Sequence, residues 1–113
     1  MILKEKEVYQ AWVSIHKDFP RVERLGIGAR IESLFLDVLE LTFASAYLST
    51  EQKIPVLGRA IAKTDLLKFF LQLAWEGRLI HSERYIPLAG QLEEIGRMLG
   101  GWRRGSISKT PAP

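Results

Sequence analysis

The last third of the chain carries large apolar residues at Tyr85, Leu88, Leu92, Ile95, Leu99 and Trp102. This 3,4,3,4,3 spacing is the seam of antiparallel bundles and coiled coils, and a helix that carries it needs partners to bury it. The same periodicity marks three earlier helices. Val8, Trp12, Ile15 and Phe19 form one face of a first helix, interrupted by Phe19-Pro20-Arg21 because the residue before a proline avoids helical dihedrals. A long second helix follows to about Tyr47, with Ile27, Ile31, Leu34, Val38, Leu41 and Leu48 on its seam and Phe35, Leu39 and Thr42 beside it. "LSTEQKIP" reads as a polar link, with Pro55 in the opening turn of a third helix, where its missing N–H costs nothing. Gly77 is expected to cap the end of that helix and Ser82 the start of the fourth. Pro87, at the fifth position of the fourth helix, should remove a backbone bond and bend the first turn. No alternating run bounded by Asn-Gly or Asp-Gly signals a strand pair. The expected fold is all-α: an up-and-down antiparallel four-helix bundle over residues 1–102, without internal repeats.

The stretch "EIGRMLGGWRRG" is an unusual ending for a helix. Ala89, Gly96 and Gly100 share a strip beside the seam, which would let another helix backbone approach closely despite a cost of about 1 kcal/mol per mid-helix glycine. Gly100 and Gly101 are expected to end the helix. Trp102 then either folds back as an anchor fixing the exit of a basic tail, or is a core tryptophan beside a simple glycine stop. Residues 103–113 hold Arg103, Arg104 and Lys109, no acid and two prolines, and read as a disordered basic tail.

The 113 residues include no cysteine, which excludes a disulfide framework or thiolate metal site and fits a reducing, cytoplasmic setting. No run approaches the roughly 20 apolar residues of a membrane span, and "MILKEKEVYQ" has charges where a signal peptide has its apolar core, so a soluble chain without a membrane partner is expected. The net charge is +3, yet residues 1–102 hold 13 basic and 13 acidic groups. Residues 1–52 carry 6 basic and 8 acidic groups, and residues 53–102 carry 7 and 5.

Between Leu66 and Trp75, eight of ten residues are apolar, with only Lys68 and Gln72 interrupting. A bundle helix buries a stripe of somewhat more than 100°, so this one needs a second apolar neighbour. On a helical wheel Leu66, Phe70, Leu73 and Ala74 fall on one side, while Leu67, Leu71 and Trp75 extend beyond it. Three large side chains buried between subunits would contribute about 1.5 to 3 kcal/mol each. A homo-oligomer is expected, with Leu66, Leu67, Phe70, Leu71 and Trp75 at its interface. The other solution is a long neighbouring helix covering this surface within one chain.

Residues for catalysis are scarce. His16 and His81 are the only histidines, and neither lies in a metal or triad motif. Glu93 and Glu94 point to different sides of a helix, and Glu93 is better read as the i,i+4 companion of Arg97. "LGIGAR" has two glycines but neither a preceding strand nor a GK[ST] ending. The chain reads as a non-enzyme without cofactor or metal.

Binding is the better class. Arg59 and Lys63 lie one turn apart on the sector that later carries Leu66 and Phe70, at the rim of whatever contact that stripe makes. Arg24 and Arg30 lie in the first part of helix two, and Arg78 and Arg84 flank the link between helices three and four. Convergence of these cations and their dispersal as solvated charges both remain open. A ring of subunits would multiply Arg103, Arg104 and Lys109, and each phosphate neutralised releases counterions, giving salt-dependent binding with little sequence preference. Neither a base-reading helix nor an aromatic stacking platform stands out.

"YQAWVSIHKDFPRVERLGIGARI", the Pro55–Arg78 helix and above all "YIPLAGQLEEIGRMLGGW" together resemble a small four-helix-bundle family. That family includes proteins encoded in intervening sequences of 23S rRNA genes and the accessory variability determinant (Avd) of diversity-generating retroelements. The "FPR…LG…RI" opening is shared broadly, whereas "EIGRMLGGW" is closer to Avd. The resemblance implies a pentameric, barrel-like assembly whose basic surface binds nucleic acid, RNA or DNA, and which associates with a reverse transcriptase to support mutagenic cDNA synthesis without catalysing it. It carries a binding role to Arg24, Arg30, Arg59, Lys63, Arg78 and Arg97, with Arg103 and Arg104 added by the tail. The neutral body and Pro87 depart from that pattern. A scaffold of the intervening-sequence type, with no nucleic-acid role, is the other reading.

Overall fold

In the computed structural model, which describes residues 1–111, each long helix turns one 3–4 seam inward. Helix α1 (Ile2–His16) buries Glu5, Val8, Trp12 and Ile15; a short α2 (Arg21–Leu25) buries nothing. Helix α3 (Ile27–Ser45) buries Gly28, Ile31, Leu34, Phe35, Val38, Thr42 and Ser45. Helix α4 (Thr50–Glu76) buries Leu57, Ala60, Thr64, Leu67, Leu71 and Ala74, and α5 (Ser82–Lys109) buries Leu88, Leu92, Ile95, Leu99 and Ser106. Cross-links such as Thr42–Glu5, Arg103–Ile54 and Arg84–Ser14 pair early residues of one helix with late residues of its neighbour. The four long helices therefore run up-down-up-down in the order α1, α3, α4, α5, in a body of 52 × 22 × 21 Å. The expected all-α bundle is observed, and no strand occurs among the described residues. None of the described helices is long and apolar enough to cross a membrane.

Several helix boundaries differ from the expectation, each for a local reason. Arg24 stands on the separate α2, because Gly26 breaks the helix with φ −96° and ψ −106°. Gly28 then lets His16 close over the junction. A β-carbon there would lie 2.4 Å from His16 Nε2, which is also 3.1 Å from the Arg24 carbonyl. Most of "LSTEQKIP" is helical, since Ser49 and Gln52 form a reciprocal capping box with bonds of 3.2 Å. Pro55 is consequently the sixth residue of α4, past the opening turn. Ser82 is the first residue of α5, His81 occupies the cap position, and the Ser82 hydroxyl instead accepts from Trp75 Nε1 at 3.0 Å. Pro87 is thereby a sixth residue too.

The largest difference lies at the C-terminus. Helix α5 continues through Gly100 and Gly101 to Lys109, where a disordered tail was expected from residue 103; residues 112–113 of that tail lie outside the described residues. The extension has a partner over its whole length, because α4 spans 27 residues against the 28 of α5. Burial of Leu99 and Ser106 and a 3.2 Å bond from Arg103 Nε to the Ile54 carbonyl offset the helix-breaking tendency of the glycines. Trp102 is a helical residue packed against the core, with Lys53 Nζ 5.2 Å from its ring centre, so it does not fold back after a stop. The glycine strip does not admit a helix backbone within the chain. Nothing lies within 4 Å of a β-carbon at Gly96, and Gly100 meets only the Arg104 side chain.

Candidate nucleic-acid interface

The topology gathers the chain's cations at two poles. At one, the α1–α3 connection meets the α4–α5 turn; residues 16–30 with 76–86 hold six basic and four acidic side chains. Arg24, Arg30 and Arg78 are all exposed there. Arg84 is tied to α1 by a bond of 2.9 Å to Ser14 Oγ and to the turn after it by one of 3.4 Å to Asp18. The opposite pole joins the α3–α4 turn to the first residues of α1 and the last turns of α5. Residues 1–3, 46–54 and 100–111 hold four basic side chains and a single acid, Glu51. The waist between the poles holds six basic and eight acidic side chains.

Arg78 owes its position to an unusual helix ending. The Leu79 N–H bonds the Ala74 carbonyl and the Arg78 N–H bonds the Trp75 carbonyl, both at 2.9 Å, the pattern of a Schellman motif. The left-handed residue this motif needs is Arg78 itself, at φ 63°, whereas Gly77 stays at φ −80°. The expected glycine cap is thus displaced by one residue, and an arginine side chain projects where glycine is usual.

Two glycines seat the arginines of the other pole. A β-carbon at Gly58 would lie 3.3 Å from Arg103 Nε, and one at Gly100 would lie 3.2 Å from an Arg104 guanidinium nitrogen. Lys53 and Lys109 line a cleft of about 270 Å³ with Trp102, Gly101 and Gly105. Lys53 and the aromatic residues around it were not among the expected site residues. The signal for them was the exposed pair Phe43 and Tyr47, four residues apart at the end of a helix, beside a lysine just after the capping box.

The waist cations are compromised as phosphate ligands. Lys63 Nζ is 3.2 Å from Asp37 Oδ2, and with Arg59 it lines a groove that also holds Asp37 and Glu40. Arg97 stands beside Glu93 and Glu94. Both carboxyl groups are held below the usual carboxylate range, Glu93 by its hydrogen bond from Lys68 and Glu94 by that from Lys4, with Arg97 adding to each. The partner of Glu93 is therefore Lys68 on α4, at 3.0 Å, rather than Arg97 one turn away. Arg24, Arg30 and Arg78 share a pole and Arg103 and Arg104 share the other, while Arg59, Lys63 and Arg97 join neither.

The interface expected on α4 faces mostly inward. Leu67 and Leu71 are 0% and 1% exposed and belong to the core. Trp75 is stacked on Tyr85 at 4.6 Å, and Phe70 packs against the core within the same chain. Of the expected set only Leu66 belongs to the exposed surplus, which continues through Phe69 and Leu73 at 36%, 57% and 45% exposure. With Arg59 and Ala62 before them, these residues form a second 3–4 stripe on the opposite side of α4 from its core seam.

A family profile described as bAvd-like matches residues 1–106. No curated protein and no solved structure matches the chain. The profile takes in α1 to α4 and α5 as far as Ser106, including the whole of the Arg24–Arg78 pole, the glycine-seated arginines and the other pole except for residues 107–111. The chain belongs to the bAvd-like family.

Proposed function

We propose that this chain is a non-catalytic, nucleic-acid-binding accessory subunit that associates with a reverse transcriptase in a diversity-generating retroelement and supports mutagenic cDNA synthesis from template RNA. The observation that carries the binding role is the excess of cations at the two poles, six basic against four acidic side chains at one and four against one at the other, while acids outnumber bases in the waist. Family membership supports the accessory role, since this is a family of Avd-type accessory proteins. The chain works as a homo-oligomer, a pentamer on the family resemblance, held along the Leu66–Phe69–Leu73 stripe. Assembly matters to binding because phosphate contacts add, and affinity falls with salt in proportion to their number.

The test is a mobility-shift titration with structured RNA at two salt concentrations, together with co-purification against a reverse transcriptase of a diversity-generating retroelement. Binding that weakens steeply with salt, and is lost in a variant carrying Arg30→Glu, Arg78→Glu, Arg103→Glu and Arg104→Glu, supports the proposal. No binding at low salt excludes the nucleic-acid role. That outcome leaves the scaffold reading, which the paired waist cations Lys63 and Lys68 favour.

A further inference from the structure

We infer that the pole at the α3–α4 turn is a site for single-stranded nucleic acid, with an unpaired base stacked on the Tyr47–Phe43 edge and its phosphates held by Lys53 and Lys109. The inference rests on the nucleic-acid role proposed above and adds the form of ligand and its place.

Two clefts meet at Trp102. On one side Met1, Ile2, Phe43, Tyr47 and Trp102 line an apolar cleft of about 360 Å³, near the lower end of the range for sites that hold one small ligand. On the other side lies the smaller cleft of Lys53 and Lys109. Tyr47 and Phe43 are 77% and 60% exposed, and their rings meet at 56° with centres 5.2 Å apart. Two tilted rings make an edge for one base at a time rather than a continuous wall.

Charge complementarity selects the occupant. An apolar cleft alone could seat a hydrophobic side chain, but this one joins the Lys53–Lys109 cleft at Trp102, and Arg103 and Arg104 follow on the same helix. The nearby carboxylates are Glu51 and the buried Glu5, which Thr42 in the cleft wall hydrogen-bonds. The guanidinium of Arg103 is fixed by the Ile54 carbonyl, and Lys53 sits over Trp102, so part of the positive charge is already placed before any ligand arrives. A polyanion carrying flat apolar groups fits both halves. In a duplex those faces are covered by neighbouring base pairs, whereas a single strand can offer them to aromatic side chains.

The experiment uses the full chain and three fluorescein-labelled probes of 12 nucleotides: a thymidine strand, an abasic strand with the same phosphates, and a self-paired hairpin. The unmodified protein is expected to bind the thymidine strand about tenfold more tightly than the other two. Tyr47→Ala with Phe43→Leu should remove that preference while leaving the salt dependence unchanged. Lys53→Gln with Lys109→Gln should keep the preference but lower the log–log salt slope by roughly 1.4, about 0.7 for each lost phosphate contact. Circular dichroism checks that the variants fold, which the exposure of both rings favours. Equal binding of all three probes, or an aromatic variant that keeps the preference, overturns the site while the broader nucleic-acid role stands. Failure of all three probes and of structured RNA overturns both.

Discussion

Arg78 holds a left-handed conformation that costs a residue with a β-carbon about 1 kcal/mol or more, and glycine almost nothing. Arg78→Gly is therefore expected to stabilise the fold by about 0.5 to 1 kcal/mol, a few degrees in Tm, whereas Arg78→Ala should give no such gain. Urea and thermal unfolding of the two variants side by side would measure this, and a glycine variant no more stable than the alanine one would contradict the strain. Glu5 is the other costly residue. It is 3% exposed, receives one bond from Thr42 at 2.8 Å, and leaves its second oxygen without a partner. Burial raises its pKa from 4.5 to about 7, only partly countered by the Thr42 bond. Between those values the folded chain retains a proton that the unfolded chain has released. Stability from this group is thus complete below pH 4.5 and lost as the pH climbs through about 7, on the order of 3 kcal/mol in all. Glu5→Gln keeps an acceptor for Thr42 and cannot ionise, so its urea midpoint should vary much less between pH 5 and 8. An unchanged slope in that window would mean that Glu5 ionises freely in the folded protein.

At the scale of helices, α4 carries two seams on opposite sides, and they should respond to substitution in opposite ways. Leu67→Ala, in the core seam, is expected to cost about 2 to 5 kcal/mol of stability. Phe69→Glu, on the outer stripe, should leave the unfolding of the single chain nearly unchanged while reducing the sedimentation coefficient of any assembly. If Phe69→Glu unfolds the chain and Leu67→Ala does not, the two seams have been assigned the wrong way round. This helix was the hardest to read from sequence, because apolar residues surround it and its core seam includes Thr64, whose hydroxyl bonds the Ala60 carbonyl at 2.8 Å. Polarity there gives no contrast from which to choose a side. Where contrast exists the seams were legible: Val8, Trp12 and Ile15 on α1, and Leu88 to Leu99 on α5, are buried as their spacing requires. The run of α5 through Gly100 and Gly101 was not legible, since it depends on what α4 offers fifty residues earlier: the Ile54 carbonyl and the space above Gly58. The cations were legible as candidates but not as groups, because which of them share a pole follows from the up-down-up-down path and not from their spacing.

For the whole molecule, the decisive property is that its charge varies along the long axis, from basic pole to acidic waist to basic pole. The outer stripe of α4 runs along that same axis, so copies packed side by side through it under a cyclic axis bring like poles to the same end. Such a ring has two basic rims and an acidic belt, and a nucleic acid lying on one rim meets the lysines and arginines of several copies at once. Like charges brought together at a rim also repel, so assembly should tighten as salt rises while RNA binding weakens. This opposition separates the proposal from simple electrostatic adhesion. In a salt series, unmodified protein should show a log–log slope for structured RNA several units steeper than the Phe69→Glu variant, because the variant presents the contacts of a single copy. Its affinity should be correspondingly lower at low salt, and the two curves should converge as salt screens the phosphates. Equal slopes for a ring and a single copy would show that neighbouring subunits add no phosphate contacts, and would leave the poles as separate sites rather than parts of a shared rim.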